Sequence, residues 1–103
     1  MTQIATVIVG SKFRPKQARE ALTMMKPGTE IRLRRDPNNA FDAYAIECHF
    51  LGQHVGFIPR QANPEIARAM DSGVKPIAIV TEPGRIDNGR VAIEPKIRVR
   101  WGE

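Results

Sequence analysis

Apolar positions along this chain recur with two different periods. From Thr29 to Arg35 they alternate, Ile31 and Leu33 against Glu30, Arg32 and Arg34, which predicts an antiparallel strand with one face buried. Residues 43–50, AYAIECHF, alternate again, and Leu51-Gly52 turns the chain into residues 53–58, QHVGFI, so these two runs predict a hairpin. In the last run every odd position from Val91 to Trp101 is apolar, counting Pro95, while Glu94, Lys96, Arg98 and Arg100 share the even face. Pro95 lacks a ladder donor, so a strand over 90–101 is expected at an edge or with a bulge there. A further strand is predicted over 76–82, with Asp87-Asn88-Gly89 as the tight turn before 90–101. Residues 3–9, QIATVIV, are β-branched with little alternation, as suits a strand covered on both faces, and Gly10-Ser11 ends it.

Two segments follow the helical period instead. Between Pro15 and Met25 the stripe is Ala18, Ala21, Leu22 and Met25, with Lys16, Arg19 and Glu20 opposite, and Pro27-Gly28 stops the helix. Asn63-Pro64-Glu65 reads as a helix start in which Asn63 caps, and the core face is Ile66, Ala69 and Met70 up to a stop at Ser72-Gly73. Five to six short strands with two short helices in 103 residues predict a mainly β fold, a small curved sheet closing into a barrel, as one domain over 1–103. The βαβ alternation and glycine-rich phosphate loop of a doubly wound sheet are missing.

Charge changes the picture next. Sixteen Lys and Arg against eleven Asp and Glu leave a formal charge of +5, which favours polyanions such as nucleic acid or acidic membrane surfaces without conferring specificity. Whether Arg32, Arg34, Lys96, Arg98 and Arg100 share one surface depends on strand order. No apolar run approaches the roughly 18 residues of a membrane span, and no leader pattern opens the chain, so an intracellular, cytoplasmic protein without a membrane partner is expected. The single cysteine, Cys48, falls in phase with Tyr44, Ile46 and Phe50 and reads as a buried thiol.

Catalysis finds little support. His49 and His54 flank a turn rather than a helical face and read as surface histidines, and with Asp36, Asp42 and Glu47 they form no metal-ligand spacing. No nucleophile elbow or Walker loop is present. A non-enzyme with no metal or cofactor is the expectation. Nucleic-acid binding uses other features: Lys12-Phe13-Arg14 after the first strand, and Arg34-Arg35 ahead of Asn39, Phe41 and Asp42. Both loops mix cations for phosphates with an aromatic for stacking, as single-strand binders need. Each residue also has a structural account, with Phe41 as a core anchor, Asp42 as a turn brace and Asn38-Asn39 as turn residues.

The run RRDPNNAFDAYAIECHFLGQHVGFIPRQA resembles the signature of the HIRAN domain, a module of certain helicase-like DNA-repair proteins that also occurs as short bacterial proteins. The matching segments are the loop Arg35 to Asp42, the strand Tyr44-Ala45-Ile46, and Gly52 to Arg60. The resemblance implies an OB-like β-barrel and binding of single-stranded DNA at its 3′ end, here in a bacterial cytoplasm, with a separate helicase or nuclease polypeptide as a partner in repair or processing. By that resemblance Phe41 stacks on the terminal base, Asn39 bonds within the pocket and Asp42 holds the 3′-hydroxyl. Lys12, Phe13, Arg35 and Arg60 complete the DNA-binding set. The chain departs from the family at Phe41, where Tyr is usual, at Ala40, where Pro is common, and after Gly84, where no aromatic closes the pocket. The alternative expectation is a protein-interaction or structural adaptor whose basic face takes an acidic partner.

Overall fold

The structure, a computed structural model, describes residues 1–102. Its elements are β1 (Thr2–Val7), a 3-10 turn (Ser11–Phe13), α1 (Lys16–Leu22), β2 (Glu30–Arg35), β3 (Ile46–Phe50), β4 (Gln53–Phe57), α2 (Asn63–Asp71), β5 (Ile77–Glu82), β6 (Arg85–Asp87), β7 (Arg90–Ile93) and β8 (Lys96–Trp101). Six strands make one antiparallel sheet in the order β1-β8-β5-β2-β3-β4, and β6 and β7 pair as a separate hairpin. The sheet is not laddered into a closed barrel among the described residues. The chain just beyond edge strand β1 meets the other edge strand, β4, at one isolated bridge, where Val9 and Phe57 exchange both backbone hydrogen bonds at 2.9 Å.

The inner face carries the core that the alternation predicts. Ile31, Ile46, Cys48, Val55, Val80, Ile97 and Val99 are buried there with Ile8. Ala18, Ala21, Leu22 and Met25 of the first helical segment close over them, as do Ile66 and Ala67 of α2. Cys48 is fully buried, and burial pushes its thiol pKa up, which leaves it protonated and inert.

Six sequence expectations are corrected. The run 90–101 is two strands, because the chain leaves β7 at Ile93 and re-enters the main sheet only at Lys96. Pro95 lies in the break, buried, with its carbonyl accepting from the Ile8 N–H at 3.0 Å. β8 is therefore not an edge; it lies between β1 and β5, and the register shift falls on β5 between Val80 and Glu82. The Asn88-Gly89 turn joins the short β6 to β7 rather than β5 to β8. The strand expected from residue 43 starts at Ile46, so Tyr44 lies off it, exposed, with the Arg68 guanidinium 5.2 Å over its ring. Asn63 does not cap α2, whose N-cap position is Ala62. The histidines are also less open than expected: His49 and His54 are half-buried and stack at 5.2 Å.

Candidate nucleic-acid interface

The Asp36–Ala45 loop is a set of side-chain-to-backbone turns. The Asn39 Oδ1 accepts the Phe41 and Asp42 N–H groups at 2.9 and 3.1 Å, while its Nδ2 donates to Asp36 Oδ2 at 3.0 Å. Asp42 Oδ1 accepts the Tyr44 N–H at 2.9 Å, the kind of turn for which Asn and Asp are favoured. Asn39 thus holds the backbone so that Phe41 projects outward, 86% exposed. That removes the core-anchor account of Phe41.

Two tertiary contacts fix the loop's far side. Arg35 is only 13% exposed and makes four hydrogen bonds, to Asp71 Oδ1 and Oδ2 at 2.9 and 3.2 Å and to the Ala45 and Ala43 carbonyls at 2.7 and 2.9 Å. Its guanidinium pins the loop to α2, and the same contact holds the Asp71 carboxyl below its ordinary pKa. The buried Asn63 donates from Nδ2 to Asp42 Oδ2 at 2.8 Å. This hydrogen bond, then the Tyr44 N–H, then the charges of Arg60 and Arg35, hold the Asp42 carboxyl below the usual carboxylate range.

Asn39, Phe41, Asp42 and Arg60 line one cavity of about 280 Å³, with Val9, Phe57 and Asn63 in its wall. Arg60 donates from Nη2 to the Phe41 carbonyl at 2.7 Å and places Nε 3.7 Å from Asp42 Oδ2, while its side chain stays 71% exposed at the rim. An ionised carboxylate offers about four acceptor positions. Tyr44, Asn63 and Arg60 use only part of that capacity on Asp42, so the carboxylate can accept a further hydroxyl proton.

The expected site residues do not all converge. Lys12 and Phe13 line a second groove, of about 490 Å³, with Arg19, Arg90 and Val91. There Phe13 is 78% exposed and the Lys12 ammonium lies 5.0 Å over its ring. Arg19 Nε donates to the Gly89 carbonyl at 3.1 Å, which holds the β6–β7 hairpin against α1. Asn63 was missed because its local context, before Pro and Glu, is that of a helix cap; its partner lies 21 positions away. No group of three or more His, Cys, Asp or Glu is placed to hold a metal ion among the described residues, and no described helix is long and apolar enough to cross a membrane.

Comparison with known proteins decides the family. The HIRAN domain family matches residues 2–100, nearly the whole chain. The chain belongs to the HIRAN domain family. Two crystal structures share the fold. One is a protein from Lactobacillus plantarum, 24% identical, with 95% of this chain and 97% of that one covered at a TM-score of 0.70. The other is the HIRAN domain of human HLTF, 22% identical, with 98% of this chain and 76% of that one covered at a TM-score of 0.71. No curated protein matches the chain. HIRAN domains are DNA-binding modules, so membership supports a nucleic-acid-binding role and is consistent with a non-enzyme.

Proposed function

We propose that this HIRAN domain captures single-stranded DNA at an end bearing a free 3′-hydroxyl. The observation that carries the reading is an ionised carboxylate, Asp42, with acceptor capacity to spare in a cavity whose rim holds an exposed phenyl group and a cation. Phe41 offers its face to the last base, Asp42 accepts the terminal hydroxyl, and Arg60 neutralises a phosphate. The same carboxylate repels a terminal phosphate, which explains an acid in a chain of net charge +5. The cavity's size, about 280 Å³, suits one terminal unit rather than a longer segment. The Val9–Phe57 bridge between the edge strands supports an OB-like barrel as the scaffold. Remodelling or cutting of the captured end in DNA repair or processing falls to a separate helicase or nuclease polypeptide.

The test compares one oligonucleotide ending in 3′-hydroxyl with the same oligonucleotide ending in 3′-phosphate, by fluorescence anisotropy with a 5′ label. The hydroxyl form is expected to bind at least tenfold more tightly, in line with a charge-assisted hydrogen bond of about 1.5–3 kcal/mol. Equal affinities would remove end capture. Phe41→Ala is expected to weaken binding by about 1–3 kcal/mol, the worth of one stacked base. Because the side chain is solvent-exposed, the melting midpoint should stay put; a large drop in it would mean that Phe41 supports the fold instead.

A further inference from the structure

We infer that the outer face of the sheet is a second, separate nucleic-acid surface that holds the phosphate backbone of duplex DNA. Strand order answers the question the sequence left open. On β8 the exposed Arg98 and Arg100 point outward, and their lateral neighbours are neutral: Ala5 and Ile79 beside Arg98, Gln3 and Ile77 beside Arg100. β2 pairs Glu30 with Ile79 and Ile31 with Ala78. Continuing that register by one residue sets Arg32 opposite Ile77, on the other side from Arg100. Three guanidinium groups thus surround the exposed Ile77, and none of the three has a side-chain partner among the described residues. Of the acids of this face, Glu82 is occupied by Lys96 at 3.0 Å and Glu47 by His49 at 2.8 Å, while Glu30 lies opposite Ile79, two residues from Arg32 on β2, and leaves the three arginines in excess.

The patch continues beyond the arginines. Arg32 pairs across the sheet with His49, whose ring stacks on His54, whose ring in turn meets Phe57 edge-on at 4.7 Å. From His54 to Arg100 the row crosses four strand spacings, roughly 19 Å along the sheet at about 4.8 Å each. Arg98 and Arg100 repeat along β8 at about 6.8 Å, twice the strand rise, a spacing comparable to that of successive phosphates.

Duplex rather than single strand is the fitting occupant, because the face lacks what single strands need. The exposed aromatics Phe13, Phe41 and Tyr44 lie outside these strands, and the rings that the face does carry, His49, His54 and Phe57, are half-buried and packed on one another, so no exposed ring stands ready for a base. Arginines without side-chain partners on the convex outer face of the sheet offer sequence-independent phosphate contacts alone.

The probe is a blunt duplex with 3′-phosphates at both ends, which presents no free 3′-hydroxyl and so tests this face apart from end capture. The chain is expected to bind it in low salt. The variant R32Q/R98Q/R100Q is expected to lose at least tenfold in affinity and to flatten the log-log salt slope by about 0.9 for each phosphate contact removed. The variant R32K/R98K/R100K keeps the charge and should retain binding; a loss equal to that of the glutamine variant would overturn the proposal. So would unchanged affinity and slope in the glutamine variant. Absence of duplex binding by the unmodified chain would also overturn it and leave an acidic protein as the partner for this face. End capture is read separately, from the 3′-hydroxyl to 3′-phosphate ratio on a single strand.

Discussion

Gly56→Ala is expected to lower the melting midpoint by about 15 °C and to reduce single-strand binding along with it. A β-carbon at this position falls 2.5 Å from the Val9 carbonyl oxygen, 2.7 Å from Ile8 Cγ2 and 3.1 Å from Ser11 Oγ. None of the three can yield cheaply. Val9 is tied to Phe57 by paired backbone bonds, Ile8 is fully buried, and the buried Ser11 donates to the Val55 carbonyl at 2.6 Å. Overpacking alone costs about 1–3 kcal/mol, and loss of the Val9–Phe57 pair adds to it. A total near 3 kcal/mol corresponds to about 12–24 °C for a domain of this size. Binding suffers as well, since Val9 and Phe57 are both walls of the Asp42 cavity. Gly102→Ala, where an added carbon meets nothing within 4 Å, is the control and should melt like the parent. Thermal unfolding followed by circular dichroism checks both. A shift of only a few degrees at Gly56 would mean that the edge strands do not cross this closely.

That crossing marks the limit of what the residues disclose in order. Alternation in Ile31 and Leu33, or in Ile97, Val99 and Trp101, follows from one buried face and is readable from any single strand. The helical stripe Ala18, Ala21, Leu22 is readable for the same reason. The break at Pro95 is not, because Ile93 and Ile97 keep the same odd phase on either side of it, and a periodic pattern survives a change of sheet. Gly84 is the hidden constraint there: a β-carbon at that position falls 2.3 Å from the Ile93 carbonyl, so backbone packs on backbone where β7 ends. A glycine between Pro83 and Arg85 carries no mark of that neighbour.

The candidate site divides along the same line. The loop's own turns rest on Asn39 and Asp42, residue types chosen by local geometry, and its outward phenyl follows from them. Arg35 and Asn63 act across distance, on Asp71 36 positions away and on Asp42 21 positions away. Local signals show neither contact: Asn63 reads as a helix cap from its neighbours, and nothing beside Arg35 marks its bond to Asp71. Between them they fasten the loop to the two ends of α2, at Asp71 and at the buried Asn63, so the helix positions the carboxylate.

Asp42→Asn is expected to collapse the preference for a 3′-hydroxyl over a 3′-phosphate from at least tenfold to near unity. Two effects act together. Removing the negative charge lifts the repulsion of a terminal phosphate beside Arg60, so affinity for the phosphate form rises. Replacing a carboxylate by an amide also turns one acceptor into a donor, so either the Tyr44 N–H or the Asn63 Nδ2 faces a second donor, and the loop loses a brace. The double variant Asp42→Asn/Asn63→Asp separates them, because it restores a donor–acceptor pair across the 2.8 Å contact while moving the charge inward. It should recover melting stability without recovering hydroxyl preference. The pH dependence follows from the sign of the shift. The Asp42 carboxyl lies below its ordinary pKa, held there chiefly by Asn63, so its contribution to stability is present above the ordinary carboxylate value. That contribution disappears only as pH falls through the lowered one. Hydroxyl preference should therefore persist through mildly acidic buffer and fail below the usual carboxylate range. A preference that titrates near neutral pH would point to a histidine rather than Asp42 as the group that reads the end.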